Sequence, residues 1–515
     1  MNFILSAKED IENWAALGNP GWDWSSFSSS LKKTYAITTP TETQNDGAIP
    51  VTLPEETAWS KAWRETFAGL GFPTDLADPS TGTMVGAVMH PDAIHPVTKT
   101  RSYVGSAYLV PARERANLTI WTQTLVEKVL FDKTTGGDED AVATGVQYTT
   151  KDGETKTVAA RKEVILSAGT LNSPRILELS GVGDASLLKS LGIDVVVDNK
   201  HVGENLQNHP MCVMCFEVSD DLGEGFETLD ALLRGDPAAI GAAVEAYSKQ
   251  AGPFSKSNVN AMGHVPFSVI TKDGDSPDVE KVLSSLSSAE PELRKTTPEF
   301  TQAHRELVRS MLTSSTAASG YYLTMPGWGF YDPKTNAMAP APAGSEKYFT
   351  VGMILAHPLS RGSVHIGAAS ASDPKLAVDF NLFAHPADVE VFAHHARFIE
   401  STLVTAEPLA GLLKVGGKRS PYAPAGPRGF SGEDGLEKAR EFVRDTAVAA
   451  NHQTSSCAMM PREMGGVVDS QLRVYGTKNL RVVDSSVIPL VPRCNIMATV
   501  YGVAERAAEL IKSGL

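Results

Sequence analysis

The chain has 515 residues, with 46 Lys and Arg against 60 Asp and Glu, a formal net charge of −14. At roughly 100–200 residues per domain, this length predicts two to four domains with a sizeable core. Hydrophobic residues make up 42% and charged residues 21%, a globular balance whose acidic excess argues against nucleic acid, because nucleic-acid binders present basic faces.

The start, Met1-Asn2-Phe3-Ile4-Leu5, has neither the basic region nor the apolar run of a signal peptide. No stretch reaches the about 18 apolar residues of a membrane span. Residues 9–34 gather Trp14, Trp22 and Trp24 around Gly18-Asn19-Pro20-Gly21, with a helix predicted after Asp23. Residues 35–99 are loop-rich. From Asn117 the pattern turns to strand, over Leu118–Leu130, Ala143–Thr150 and Thr155–Ala159, with Asp152-Gly153 as a hairpin signal. Between the first two, Thr134–Asp140 reads as a solvated loop. Val164-Ile165-Leu166 reads as a fully buried strand ending in Ser167-Ala168-Gly169-Thr170. Asn172-Ser173-Pro174 then opens a helix, with Ser173 as N-cap and Pro174 at the first position, and Gly181 stops it. This is half of a parallel βαβ unit.

Met211–Phe216 is an apolar strand in which Cys212 and Cys215 point to opposite faces, so core packing is the reading and no metal site is expected. Helices are predicted at Asp278–Ser288 and Pro298–Leu312, and strands over 348–366. Pro386–Val404 reads as an amphipathic helix with Val389, Phe392, Ala396, Ile399 and Leu403 on one face. Its His394 and His395 read as surface residues, with Glu390 as the i,i+4 partner of His394. Near the C-terminus, Leu480–Val483 predicts a buried strand ending at Asp484, where an acidic group can meet a ligand. Val500, Val503, Ala504, Ala507, Ala508 and Ile511 predict a helix whose N-terminal N–H groups lie beside Asn495. Taken alone, His452 reads as a core histidine bonded to backbone, and Asp484 as a strand-end turn cap.

Taken together, these blocks resemble the glucose–methanol–choline (GMC) oxidoreductases, FAD-dependent enzymes that oxidise alcohols. The resemblance rests on Gly18-Asn19-Pro20-Gly21-Trp22, Thr100-Arg101-Ser102-Tyr103 and Ser167-Ala168-Gly169-Thr170. It continues through Val202–Pro210, Pro358-Leu359-Ser360-Arg361-Gly362-Ser363-Val364 and the segment from Asn451 to Asn495. It implies an α/β FAD-binding domain built from residues 1–34, 100–210 and 451–515. It also implies an α+β substrate domain with an antiparallel sheet over 211–450, and a connecting or lid region at 35–99. Asn2, Val126, Ala168, Gly169, Asp484, Ser485, Ile496 and Met497 would border FAD, with the Val126 backbone facing adenine. His452 would accept the hydroxyl proton of a small-molecule alcohol while a hydride passes to flavin N5, and Asn495 would donate to the developing alkoxide.

Two departures bear on this expectation. The family's Gly-x-Gly-x-x-Gly βαβ unit has no counterpart here: the chain starts inside the first signature, with Asn2 matching its asparagine. A strand such as Val164–Leu166 is then expected to carry an open edge. Gln453-Thr454-Ser455-Ser456 and Arg493-Cys494 also replace the usual residues. An FAD-independent cyclisation or dehydration, as in versicolorin B synthase-like members, and a non-catalytic homologue are the alternatives.

Overall fold

The computed structural model describes residues 2–38, 43–44, 46–74, 79–132, 140–259, 261–271, 282–286, 296–373, 375–424 and 428–514. Helices α1 (Lys8–Ala16) and α2 (Trp24–Lys32) begin it, with the Asp23 carboxylate accepting from Ser26 N at 3.0 Å as the cap of α2. Trp14 packs edge-on against Phe27 and donates from Nε1 to the Leu490 carbonyl at 2.9 Å, which seats both helices on the C-terminal segment.

Residues 35–99 correct the loop-rich expectation. Strand β1 (Tyr35–Thr38) lies parallel to β2 (Ile49–Thr52). Helix α3 (Ala58–Gly69) is closed by a reciprocal Thr57–Ser60 capping box. Trp59, Trp63 and Phe67 recur at helical spacing and bury one face of α3, and β3 (Gly86–Met89) joins the central sheet.

Strands β4 (Leu125–Phe131), β5 (Ala143–Thr149) and β6 (Thr155–Ala159) form an antiparallel meander, with Gly153 at φ +80° in the β5–β6 turn. The strand expected from Leu118 starts at Leu125 instead: residues 118–124 pair with no strand, and Leu118, Ile120 and Trp121 are exposed. The Thr134–Asp140 linker lies outside the described residues except for Asp140.

Strand β7 (Val164–Leu166) leads into α4 (Gly169–Leu179). The helix begins earlier than expected, and Pro174 lies inside it rather than at its start. Proline has no N–H for the carbonyl four residues back. That carbonyl, of Thr170, accepts from Ser456 Oγ at 2.5 Å instead, a hydroxyl supplied from 286 positions away. Ser173, expected as the cap, accepts from Ala168 N at 3.0 Å.

Further elements include β8 (Pro210–Glu217), β9 (Ala261–Val265), α5 (Pro298–Thr313), β10 (Gly320–Met325), β11 (Tyr348–Leu355), α6 (Pro386–Ser401), α7 (Gly435–Thr446), β12 (Val448–Ala449), β13 (Leu480–Val482) and α8 (Met497–Ser513). Of the helix expected over Asp278–Ser288, only residues 282–286 are described, and they are helical. Six strands form one antiparallel sheet in the order β12-β8-β11-β10-β9-β3. Cys212, Met214, Tyr322 and Met353 project from one face into the larger core with α3, α6 and α7, whereas Cys215 packs on the other face with Trp328 and Tyr348.

Helix α6 corrects a second expectation. His394 and His395 are buried, because tertiary packing covers both sides of the helix. His395 meets Ser319 Oγ at 2.8 Å and Tyr322 OH at 2.6 Å, and Glu390 pairs with Arg440.

Strand β13 runs parallel to β7, with Leu480 opposite Val164. Among the described strands β7 has no other partner, so one edge is open as expected, but Ile165 is 44% exposed and the strand is not fully buried. No helix among the described residues is long and apolar enough to cross a membrane.

Candidate active site

The turn from β7 into α4 and the loop after β13 are knotted together by one carboxylate. Asp484 Oδ2 accepts from Gly169 N at 2.9 Å and Ser173 Oγ at 2.5 Å, while its Oδ1 accepts from Ser486 N at 2.8 Å. Ser485 Oγ lies 2.7 Å from Thr170 Oγ1. Ala168, Gly169, Asp484 and Ser485 are therefore brought together. A side chain added at Gly169, which sits at φ +81°, would meet nothing within 4 Å, so the backbone there is open to a ligand.

Asn495 and Ile496 stand directly before α8, whose first residue is Met497 and whose first turn has no side-chain cap. Asn495 Oδ1 is buried without a partner. The segment is pinned from behind: Arg493, fully buried, donates from its backbone N to Asp10 Oδ2 at 2.8 Å and from Nη2 to Glu9 Oε2 at 2.6 Å. Cys494 packs with Ile4 and Met262, and Leu323 lies against them. Asn2 pairs in an isolated bridge with Asp92 and also leaves a buried Oδ1 unpaired. Val126 lies on β4, opposite Tyr148.

His452 is 9% exposed and follows β12 by three residues. Its backbone N donates to Asn208 Oδ1 at 2.9 Å, and its Nδ1 lies 2.9 Å from Nδ1 of His209. Burial pushes the His452 pKa down to about 4, so the ring is neutral at pH 7. His209 Nδ1 is also 3.5 Å from the Tyr321 hydroxyl. The ring of His264 stacks on Tyr321 at 5.8 Å, and His264 Nε2 meets His90 Nε2 at 3.1 Å. Tyr321 and His264 occupy the sheet face that also carries Met262 and Leu323. His452 therefore borders that face through His209, and Asn495 borders it through Cys494.

The sequence reading missed His209, Asn208, Tyr321, His264 and His90. His209 and Asn208 stood in a block already singled out, but their partners lie more than 100 positions away. A cavity of about 590 Å³ is lined by Thr52, Asp92 and Lys256 among others. Among the described residues no group of three or more His, Cys, Asp or Glu side chains could hold a metal ion.

The donor set fits the ring end of a flavin. An uncapped helix N-terminus favours electron-rich groups, the orphaned Asn495 Oδ1 can accept one hydrogen bond and its Nδ2 can donate, and Gly169 leaves the backbone approachable. No Gly-x-Gly-x-x-Gly occurs among the 515 residues, so no phosphate cradle of that kind can be named here.

Comparison with known proteins agrees. The GMC oxidoreductase N-terminal family profile matches residues 1–211, and the C-terminal one matches residues 358–504. "Dehydrogenase mpl7" of Monascus purpureus is 32% identical over 533 aligned residues, covering 99% of this chain and 81% of that protein. An FAD-dependent oxidoreductase from Chaetomium thermophilum superposes with a TM-score of 0.83 at 26% identity, covering all of this chain and 84% of its own. A fungal aryl-alcohol oxidase shares the fold, with a TM-score of 0.81 at 24% identity, covering 100% of this chain and 84% of its own. With both family models matched and a relative 32% identical over nearly the whole chain, the chain belongs to the GMC oxidoreductases and is an FAD-dependent oxidoreductase.

Proposed function

We propose that the protein oxidises a small-molecule alcohol at its CH–OH group, with His452 as the base. The observation that carries this reading is the neutral, nearly buried His452 imidazole, held from behind by His209 and bordering the same sheet face as the Asn495 segment. Oxidation of an alcohol to a carbonyl removes a proton and a hydride, and bound FAD supplies the hydride acceptor. His452 takes the hydroxyl proton, for which a neutral imidazole is required. Asn495 donates a hydrogen bond to the oxygen as negative charge grows on it. The residues Ala168, Gly169, Asp484, Ser485, Ile496 and Met497 would hold the flavin ring system with Asn2 at its border, the Val126 backbone would face adenine, and α8 would stabilise negative charge at its N-terminal end.

The test is anaerobic stopped-flow reduction of the FAD-loaded protein by a panel of aliphatic and aromatic alcohols. His452→Gln is expected to slow reduction by about 10²–10⁴-fold with little change in substrate affinity. The unmodified protein is expected to keep its rate down to about pH 5, since the imidazole is protonated only near pH 4. A His452→Gln variant reduced at the unmodified rate would remove the base assignment.

A further inference from the structure

Two imidazoles facing each other through like nitrogens pose a question of proton placement, and the backbone answers it. His209 Nε2 lies 3.2 Å from the carbonyl oxygen of Ala356. A carbonyl only accepts, so this nitrogen carries hydrogen. His209 is fully buried, and burial holds its pKa well below the usual imidazole range, so the ring is neutral and has one N–H. Its Nδ1 is therefore a bare acceptor. The contact of 2.9 Å with His452 Nδ1 then needs its hydrogen from His452. The reverse arrangement would set the His209 Nε2 lone pair against the Ala356 oxygen in a dry interior, leaving both unsatisfied. The Tyr321 hydroxyl, 3.5 Å from the same His209 nitrogen, can also donate to it.

We propose that His209 is a positioning residue that fixes His452 as the Nδ1–H tautomer, leaving Nε2 of His452 as the one basic nitrogen. Both rings are clamped for this task. Ala450 N donates to the His209 carbonyl at 3.0 Å, His452 N donates to Asn208 Oδ1, and Ala356 N donates to the Ser319 carbonyl at 2.9 Å. The backbone thereby aims His452 Nε2 away from His209. The proposal rests on the reading of His452 as base for its catalytic meaning, but the tautomer itself is a property of the protein alone.

The test is long-range ¹⁵N–¹H correlation spectroscopy of protein labelled at histidine, with the His452 signals assigned by their loss in His452→Gln. Without added ligand at neutral pH, His452 is expected to show a protonated Nδ1 and a bare Nε2. His209→Leu removes the acceptor and is expected to move the proton to Nε2. In the FAD-loaded protein the same change is expected to lower the rate of reduction by roughly 10²-fold or more, with KM little changed. His209→Asn, whose Oδ1 takes roughly the place of Nδ1, is expected to restore the Nδ1–H form and much of the rate. A bare Nδ1 on His452 in the unmodified protein overturns the proposal, even if His209→Leu fails to fold. So does a His209→Leu variant that folds and keeps the proton on Nδ1. If the tautomer is as stated but His452→Gln is reduced at full rate, the base assignment falls and the tautomer stands.

Discussion

His365 sits between two carboxylates, with Nδ1 2.6 Å from Glu178 Oε1 and Nε2 3.1 Å from Glu204 Oε1. Burial opposes its charge, but hydrogen bonds to Glu178 and Glu204 outweigh that, and its pKa rises to about 9. Because the folded value exceeds the ordinary 6.5, its contribution to stability is full below about pH 6.5 and disappears as pH climbs through about 9. A shift of this size corresponds to at most about 3 kcal/mol. Urea unfolding at pH 6 and pH 9.5 is expected to show a loss toward the alkaline side, and His365→Gln to flatten it. His452 follows the opposite sign: its depressed value makes the folded state less able than the unfolded chain to bind a proton, so its buried ring costs stability as pH falls from about 6.5 toward 4.

At the scale of elements, α4 shows how a helix can contain a proline at little cost. Thr170 O would be orphaned by Pro174, and Ser456 Oγ satisfies it. Ser456→Ala is expected to destabilise the protein by about 1–3 kcal/mol, since it leaves a buried carbonyl unpaired. In a Pro174→Ala background, a new N–H reaches the same carbonyl and the loss on Ser456→Ala should shrink, a coupling that a double-mutant cycle in urea measures. This helix also explains what could be read from sequence. The meander of β5 and β6 was legible because alternation and Asp152-Gly153 are local signals. The start of α4 was not, because the hydroxyl that permits Pro174 inside it comes from the far end of the chain. His394 and His395 failed for a related reason: the second covered side of α6 is created by elements remote in sequence. His452 and Asn495 stood out only as part of a resembling block, while His209, between recognisable neighbours, gave no hint of the carbonyl or the imidazole it meets.

For the whole molecule, the contrast lies between two sheets. The six-stranded sheet is packed on both faces, whereas β7 pairs only with β13 among the described strands and shows Ile165 to solvent. Tyr103, Val104, Leu109, Val110, Leu118, Ile120, Trp121 and Leu125 are exposed as well, over one stretch of chain. An open edge and exposed apolar residues both favour association. Light scattering of the 515-residue chain is expected to show mass rising with concentration, and Ile165→Lys to reduce that rise while leaving the circular dichroism spectrum unchanged.

The two imidazoles at the centre of the site belong to chain segments that enter and leave one corner of the large sheet. His209 immediately precedes β8, and His452 follows the end of β12, while Pro210 faces Ala449 and Met211 faces Val448 across the ladder. Sliding one of these strands by a single position would turn its side chains to the opposite face, and the two rings would lose each other. Where one hydrogen nucleus resides on a side chain is thus decided by how two backbones are aligned, so a spectrum of that ring doubles as a gauge of whether the corner has assembled correctly.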